Sequence, residues 1–418
     1  MHFFHYKDGD LYCEEVPITT IADRVGTPFY LYSHRTLVRH FKAFDSAFEK
    51  VRHLVCYSVK ANSNVALLRI FVNLGAGLDV VSGGELYRAL KSGVDPKKVV
   101  FSGVGKTEQE IEYAMNSGIL MFNVESSQEL VRIDEIAGRL GTKAPVAIRV
   151  NPDIDPKTHP YVATGLRENK FGIDFDLSIK EYNHAKGLPH LEIIGVGCHI
   201  GSQVIELQPF VEALRRVKEL ILALASRGIG IQYLDLGGGL GITYKDEVPP
   251  HPTEYAKAIV EEASDLDYTL IFEPGRVIVG NAGILVSRVL YTKETGEKNF
   301  IIIDAGMNDL MRPSLYGSFQ GILPVVKGEE GEIVADVVGP ICESGDFMAR
   351  NRRMPKFKPG DLVAVMSAGA YGFSMSSNYN SRPRVCEVLA RGNRFHLIRE
   401  REDYEDLVRG ERIPDFLG

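Results

Sequence analysis

The sequence predicts an α/β fold in which a closed (β/α)8 barrel, a TIM-like barrel, is joined to an antiparallel β domain. Three observations carry this. Between about residues 34 and 280, short apolar or β-branched runs alternate with helical patterns, giving about eight strands, each but the last followed by a helix. After Gly280 the alternation stops, and short strands divided by Gly, Pro and Asp turns replace it. No Gly-x-Gly-x-x-Gly follows a first strand, which weakens the alternative of an open doubly wound sheet. At 418 residues the chain also exceeds what one hydrophobic core usually serves. The expected division is 34–280 for the barrel, with 1–33 and 281–418 forming a β sandwich or barrel that takes in the N-terminal strands.

In chain order, Gly9–Cys13 and Phe29–Tyr32 are β-like pieces that precede the alternation. Ser33 is a candidate N-cap for a helix whose apolar residues Leu37, Phe41, Phe44 and Phe48 recur at spacings of three and four. Barrel strands are expected at His53–Cys56, Leu78–Val81, Val99–Phe101, Leu120–Asn123, Val146–Val150, Ile193–His199, Tyr233–Leu236 and Thr269–Glu273. Asn62 to Gly75 reads as the first barrel helix, so Lys60 falls at the carboxyl end of the first strand. The connection from Asn151 to about Asp176, with Pro152, Pro156 and Pro160, is long, and such loops often lie over active sites. In the second domain, strands are expected at Leu285–Leu290, Phe300–Asp304, Glu332–Val338, Asp361–Val365 and near Phe395–Ile398, before a charged tail.

Composition narrows the function. A net charge of -7 with mixed signs leaves no basic field to hold nucleic acid. No run reaches membrane-spanning length, and the amino terminus lacks the features of a signal peptide. The cysteines Cys13, Cys56, Cys198, Cys342 and Cys386 are odd in number and lack metal-ligand spacing, which points to reduced thiols in a cytoplasm and to no metal site.

In a barrel, the carboxyl ends of all strands face one mouth. Lys60, Asp79, Asn123, His199, Gly237-Gly238-Gly239 and Glu273 all fall at such ends. A partly desolvated lysine there can lose its proton and form an imine with an aldehyde cofactor. Taken singly, a lysine after a strand is more often solvated, so the weight rests on its company. The glycine triplet and Glu273-Pro274-Gly275-Arg276 follow the last two strands, where barrels often bind phosphate through backbone amides, although a triplet alone reads equally well as a tight turn. A carboxylate such as Glu273, set on the pyridine nitrogen of pyridoxal phosphate, would keep the ring an electron acceptor. His199 can stack on such a ring or be an ordinary hydrogen-bonded core histidine. In the second domain, Gly339 to Asp346 puts the Cys342 thiol beside the Glu343 carboxylate, and Ser367 to Gly372 presents Tyr371 among small residues.

Together, Tyr57-Ser58-Val59-Lys60-Ala61-Asn62, Gly197-Cys198-His199-Ile200-Gly201-Ser202-Gln203, the glycine triplet, Glu273-Pro274-Gly275-Arg276, Met311 to Tyr316, Cys342-Glu343-Ser344-Gly345-Asp346 and Gly369-Ala370-Tyr371-Gly372 resemble the diaminopimelate decarboxylase family. That family belongs to the alanine-racemase-like class of pyridoxal phosphate enzymes. The resemblance implies decarboxylation of meso-2,6-diaminopimelate to L-lysine, the last step of lysine biosynthesis. It implies Lys60 as the cofactor lysine, Gly238, Gly275 and Arg276 at the phosphate, His199 on the ring and Glu273 at its nitrogen. Asp79, Ser202, Pro274 and Tyr371 are implied as further cofactor contacts. Arg276, Arg312, Tyr316, Glu343 and Tyr371 are implied at the far end of the small amino-acid substrate, and Cys342 as proton donor. It also implies a homodimer in which Cys342 and Glu343 come from the neighbouring subunit. Other readings are a decarboxylase of arginine, ornithine or a carboxylated polyamine, an amino-acid racemase, and a non-catalytic homologue. Arg312 opposes the first, Glu273 the second, and the presence of both Lys60 and Cys342 the third.

Overall fold

The structure, a computed structural model, describes residues 2–155, 169–264, 267–328 and 331–418. The chain forms two compact units, Val38–Val279, and Met1–Leu37 with Gly280–Gly418.

In the first unit, eight strands pair in parallel: β1 (His53–Ser58), β2 (Gly77–Val80), β3 (Val99–Phe101), β4 (Met121–Val124), β5 (Ala144–Asn151), β6 (Leu191–Gly197), β7 (Tyr233–Asp235) and β8 (Thr269–Phe272). They follow chain order around the ring, and β8 pairs back to β1, so the barrel is closed. Strands covered on both faces need continuous apolar runs, and β2, β3 and β4 are buried at every residue. Cys56, Val100, Met121, Ala147, Ile194 and Ile271, drawn from six strands, form one cluster. Residues from so many strands around a ring can meet only in its lumen, where each large apolar side chain contributes about 1.5–3 kcal/mol.

The helices are anchored where they leave the mouth. Helix Glu108–Ser117 opens with a capping box between Thr107 and Glu110 and closes at Gly118, whose φ of 71° suits a residue without a Cβ. Gly83–Ser92 and Ser127–Leu140 repeat the scheme with Ser82 and Ser126 as N-caps, each worth about 1 kcal/mol. The first βα connection departs from expectation. β1 ends at Ser58, Lys60 lies in the 3-10 turn Val59–Ala61, and the helix Val65–Asn73 starts later than Asn62. Two asparagines explain the delay: Asn62 Oδ1 accepts from the Asn64 N–H at 3.1 Å, and Asn64 Oδ1 from the Ala66 N–H at 3.0 Å. Of the long connection after β5, Pro152 is described, whereas Pro156 and Pro160 lie outside the described residues.

The second unit is built on a sheet ordered Phe347–Pro355, Glu332–Val338, Asn299–Ile303, Gly283–Glu294, Phe29–Ser33, Cys386–Arg391, Arg394–Arg399. Leu362–Val365 pairs with Gly283–Glu294 and carries Ile322–Pro324 on its other side. Two pairings run parallel, Cys386–Arg391 with Phe29–Ser33 and Asn299–Ile303 with Glu332–Val338, so the sheet is mixed where an antiparallel one was expected. Neither pair is joined by a hairpin, and nothing local fixes its direction. Phe347–Pro355 had no strand signal because Arg350, Arg352 and Arg353 interrupt its apolar pattern; it lies at a sheet edge, where charge is tolerated. Ser33 Oγ accepts from the Thr36 N–H at 3.1 Å, capping the helix that follows. Phe29, Leu31, Ile284, Val286, Ala364 and Val388 belong to one core cluster of this unit.

Among the described residues, no helix is long and apolar enough to cross a membrane, and no cluster of His, Cys, Asp or Glu is arranged to hold a metal. All five cysteines are free thiols.

Candidate active site

The mouth of the barrel gathers the expected residues from separate strand ends. Lys60 Nζ donates to Asp79 Oδ2 at 2.9 Å, with the aspartate wholly buried and the lysine side chain 37% exposed. Ser58 Oγ lies 2.9 Å from the same carboxylate oxygen and 3.0 Å from the Glu273 carbonyl, able to donate to either. The amine is thereby held by a rigid neighbour yet open on one side. Asp79 Oδ1 and Asn123 Oδ1 are buried and have no hydrogen-bond partner among the described residues.

Glu273 follows β8 and is buried. Its carboxyl is pushed well above the ordinary carboxylate range by burial and by the charges of Asp235 and Asp79, with Lys60 opposing. Ser102 Oγ donates to Glu273 Oε1 at 3.3 Å, and Asn123 Nδ2 reaches the same oxygen at 3.4 Å. His199 follows β6. Burial, with Arg149 and Lys60 nearby, holds its pKa well below the usual value, so the ring is neutral. The Gly238 N–H donates to His199 Nδ1 at 3.2 Å, which leaves the ring proton on Nε2.

The glycines are required by space. A Cβ on Gly238 would sit 2.2 Å from the Glu273 carbonyl oxygen, and Gly239 has φ 119° with a Cβ position 2.5 Å from the Gly201 oxygen. Beside this turn, Gly275 leads into the short helix Arg276–Val279. The buried Arg276 guanidinium donates to Tyr244 Oη at 2.7 Å and Ser202 Oγ at 2.9 Å. Pro274 contributes its carbonyl, which accepts from the Ser58 N–H at 3.1 Å and ties the end of β8 to β1.

In the second unit, buried Arg312 opens the helix Arg312–Tyr316, and its guanidinium carbon lies 5.3 Å from the Tyr316 ring centroid and 6.0 Å from that of Tyr371. Tyr371 takes φ 55°, an uncommon backbone for a side chain of its size. Cys342 is exposed, and its N–H donates to Asn380 Oδ1 at 2.8 Å. Glu343 pairs with the Tyr379 hydroxyl, whose pKa it raises. Asp346 pins this loop by accepting from the Met307 and Ile341 N–H groups at 2.6 and 2.7 Å.

Each expected residue therefore has a stated place: Lys60, Asp79, His199, Ser202, Gly238, Glu273, Pro274, Gly275 and Arg276 at the barrel mouth; Arg312, Tyr316 and Tyr371 together in the second unit; Cys342 and Glu343 on an exposed loop. Asp235, Tyr244, Asn380 and Tyr379 join them without having been expected. Asp235 is separated from the glycine triplet only by Leu236, the one cue that pointed toward it. An amine for an aldehyde, a carboxyl for a ring nitrogen, a neutral imidazole for a ring face and a glycine turn for a phosphate are the set that pyridoxal phosphate requires. The residues present fit that cofactor.

Comparison with known proteins agrees. A family model described as "Pyridoxal-dependent decarboxylase, pyridoxal binding domain" matches residues 34–280. Diaminopimelate decarboxylase of Vibrio cholerae is 52% identical over 410 residues, 97% of this chain and 98% of that protein. Diaminopimelate decarboxylase of Helicobacter pylori, solved with L-lysine, superposes with a TM-score of 0.91 at 44% identity, covering 94% of this chain and 98% of that one. The M. jannaschii enzyme in co-complex with L-lysine gives 0.93 at 40% identity, covering 99% and 98%.

Proposed function

Since the chain belongs to the pyridoxal-dependent decarboxylases, in their diaminopimelate decarboxylase family, we propose that it releases carbon dioxide from meso-2,6-diaminopimelate and yields L-lysine. The observation that carries this reading is the Lys60–Asp79 pair at the same barrel mouth as buried Glu273 and the glycine turn. The L-lysine held by two similar structures supports the product. When bound, pyridoxal phosphate supplies the electron-accepting ring that makes loss of the α-carboxylate feasible.

In this reading Lys60 holds the cofactor's aldehyde carbon, and Asp79 keeps Nζ in place between turnovers. His199, being neutral, would lie against the ring without repelling its positive charge. Glu273 holds a proton at the ring nitrogen. Backbone amides of Gly238 and Gly275, with Arg276 and Ser202, hold the phosphate, Pro274 shapes that turn, and Tyr371 completes the cofactor's surroundings. Arg312, with Arg276, Tyr316 and Tyr371, receives the distal carboxylate of the substrate, and Glu343 its distal ammonium. The exposed Cys342 thiol would supply the proton that takes the place of the lost carboxylate on the α-carbon.

We take 34–280 as the cofactor domain, with 1–33 and 281–418 completing the site. Cys342 and Glu343 then serve the site of a second copy in a homodimer, a reading their exposure supports. The free thiols support a reducing, cytoplasmic setting.

The test is carbon dioxide release by purified protein supplied with pyridoxal phosphate and offered meso-diaminopimelate, the L,L isomer, arginine and ornithine separately. Release from the meso isomer alone, with lysine formed, is expected. Release from arginine or ornithine instead would overturn the assignments of Arg312, Tyr316 and Glu343.

A further inference from the structure

We propose that Asp235 is a positioning residue for Glu273: without cofactor the two carboxyls share one proton, and the charge on Asp235 makes Glu273 the donor of that proton to the ring nitrogen. The inference rests on the reading that pyridoxal phosphate places its nitrogen at Glu273.

Asp235 ends β7 and Glu273 follows the adjacent β8, at 1% and 7% exposure. The two carboxyls act directly on one another, and two buried carboxyls on adjacent strand ends are held together when they share one proton. Asn123 Nδ2 spans the pair, 2.7 Å from Asp235 Oδ2 and 3.4 Å from Glu273 Oε1. The Gly237 N–H donates to Asp235 Oδ1 at 2.9 Å. Burial raises Asp235, but it accepts an amide N–H on each of its oxygens, which opposes that rise, whereas Glu273 is held well above the ordinary range, so the shared proton rests on Glu273.

The surrounding charges agree with that placement. Asp79 adds to the negative field on both carboxyls, and Lys60 opposes it at Glu273. The thiols of Cys56 and Cys198, which feel the charge of both carboxyls, are pushed up by burial, Cys198 to about 12, and so remain uncharged near neutrality. Arg149 acts on Cys198 and His199. A ring that enters with its nitrogen unprotonated takes the Glu273 proton, the O–H bond breaking as an N–H bond forms; a ring that enters already protonated sends that proton to solvent. In both cases the ring ends cationic against two carboxylates and no proton need come from solvent. The Asp235–Gly237 bond also connects this proton site to the glycine turn proposed for the phosphate.

The test counts protons. Full-length protein depleted of cofactor is titrated with pyridoxal phosphate by calorimetry near neutral pH in buffers of differing ionisation enthalpy, as wild type and as Asp235→Asn. The asparagine removes the like charge and can donate to Glu273, so Glu273 is already ionised before the ring arrives. About one more proton per cofactor is then expected to be taken from solvent by the variant than by wild type. Equal counts would overturn the proposal. Infrared difference spectra of wild type guard against a variant that fails to fold: loss of a buried protonated-carboxyl band on cofactor loading is expected, and its absence also overturns the proposal. Absence of lysine formation by loaded wild type would instead fault the proposed function.

Discussion

Lys60 stands at the centre of the proposed chemistry, and its environment is specific enough to test. Lys60→Ala is expected to lose the cofactor's long-wavelength absorbance and at least about a thousandfold in turnover while keeping the fold; a variant with both intact would remove the lysine from its role. A second residue-scale expectation concerns Asp309, which is buried and raised from 3.8 to about 7, chiefly by burial. A carboxyl with a raised folded pKa contributes stability that is complete below its unfolded value and is lost as pH rises through the folded one. The thermal midpoint of wild type should therefore fall relative to Asp309→Asn as pH rises from 3.8 to about 7, and parallel curves would contradict it. What the sequence revealed at this scale were residues with local motifs, such as Lys60 and Gly238. Asp235 hid inside an apolar strand, because its partners Asn123 and Glu273 are distant in sequence and only the closed barrel brings them together.

Among elements, the barrel strands and capped helices were legible because they are local in origin: apolar runs of strand length, Ser or Thr before a helix, Gly after it. Their boundaries were less so at the mouth, where the side chains of Asn62 and Asn64 compete for backbone N–H groups and postpone a helix. In the second unit, direction and order come from distant pairings, and the arginine-rich edge strand showed no alternation at all. One such pairing is open to measurement. Glu387, wholly buried on Cys386–Arg391, accepts from Tyr32 Oη at 2.8 Å and is ion-paired with Arg399. Glu387→Ala should cost about 3 kcal/mol in denaturant unfolding, the low end for a broken buried pair because Arg399 is partly exposed. An unchanged midpoint would mean the three residues do not lock these strands together.

For the whole molecule, the proposed trans contribution of Cys342 predicts complementation. Lys60→Ala and Cys342→Ala are each expected to be nearly inactive, but after mixing and subunit exchange half the dimers are hybrids carrying one intact site. Activity should then recover to about a quarter of wild type. No recovery, with exchange verified by mass-tagged subunits, would place Cys342 in its own chain's site.

The strand Phe29–Ser33 has a bearing on how the chain is made. It lies between Gly283–Glu294 and Cys386–Arg391, and its Tyr32 bonds to a residue 355 positions later. A ribosome releases this strand before the barrel sequence, one neighbour directly after that sequence and the other later still, so it must wait unpaired while the barrel sequence emerges and folds. Long-range closure of this kind is slow and exposes sheet edges to wrong partners. Translation cut short before Cys386 would leave that central strand missing one neighbour, so the β unit can close only after the barrel sequence has been made.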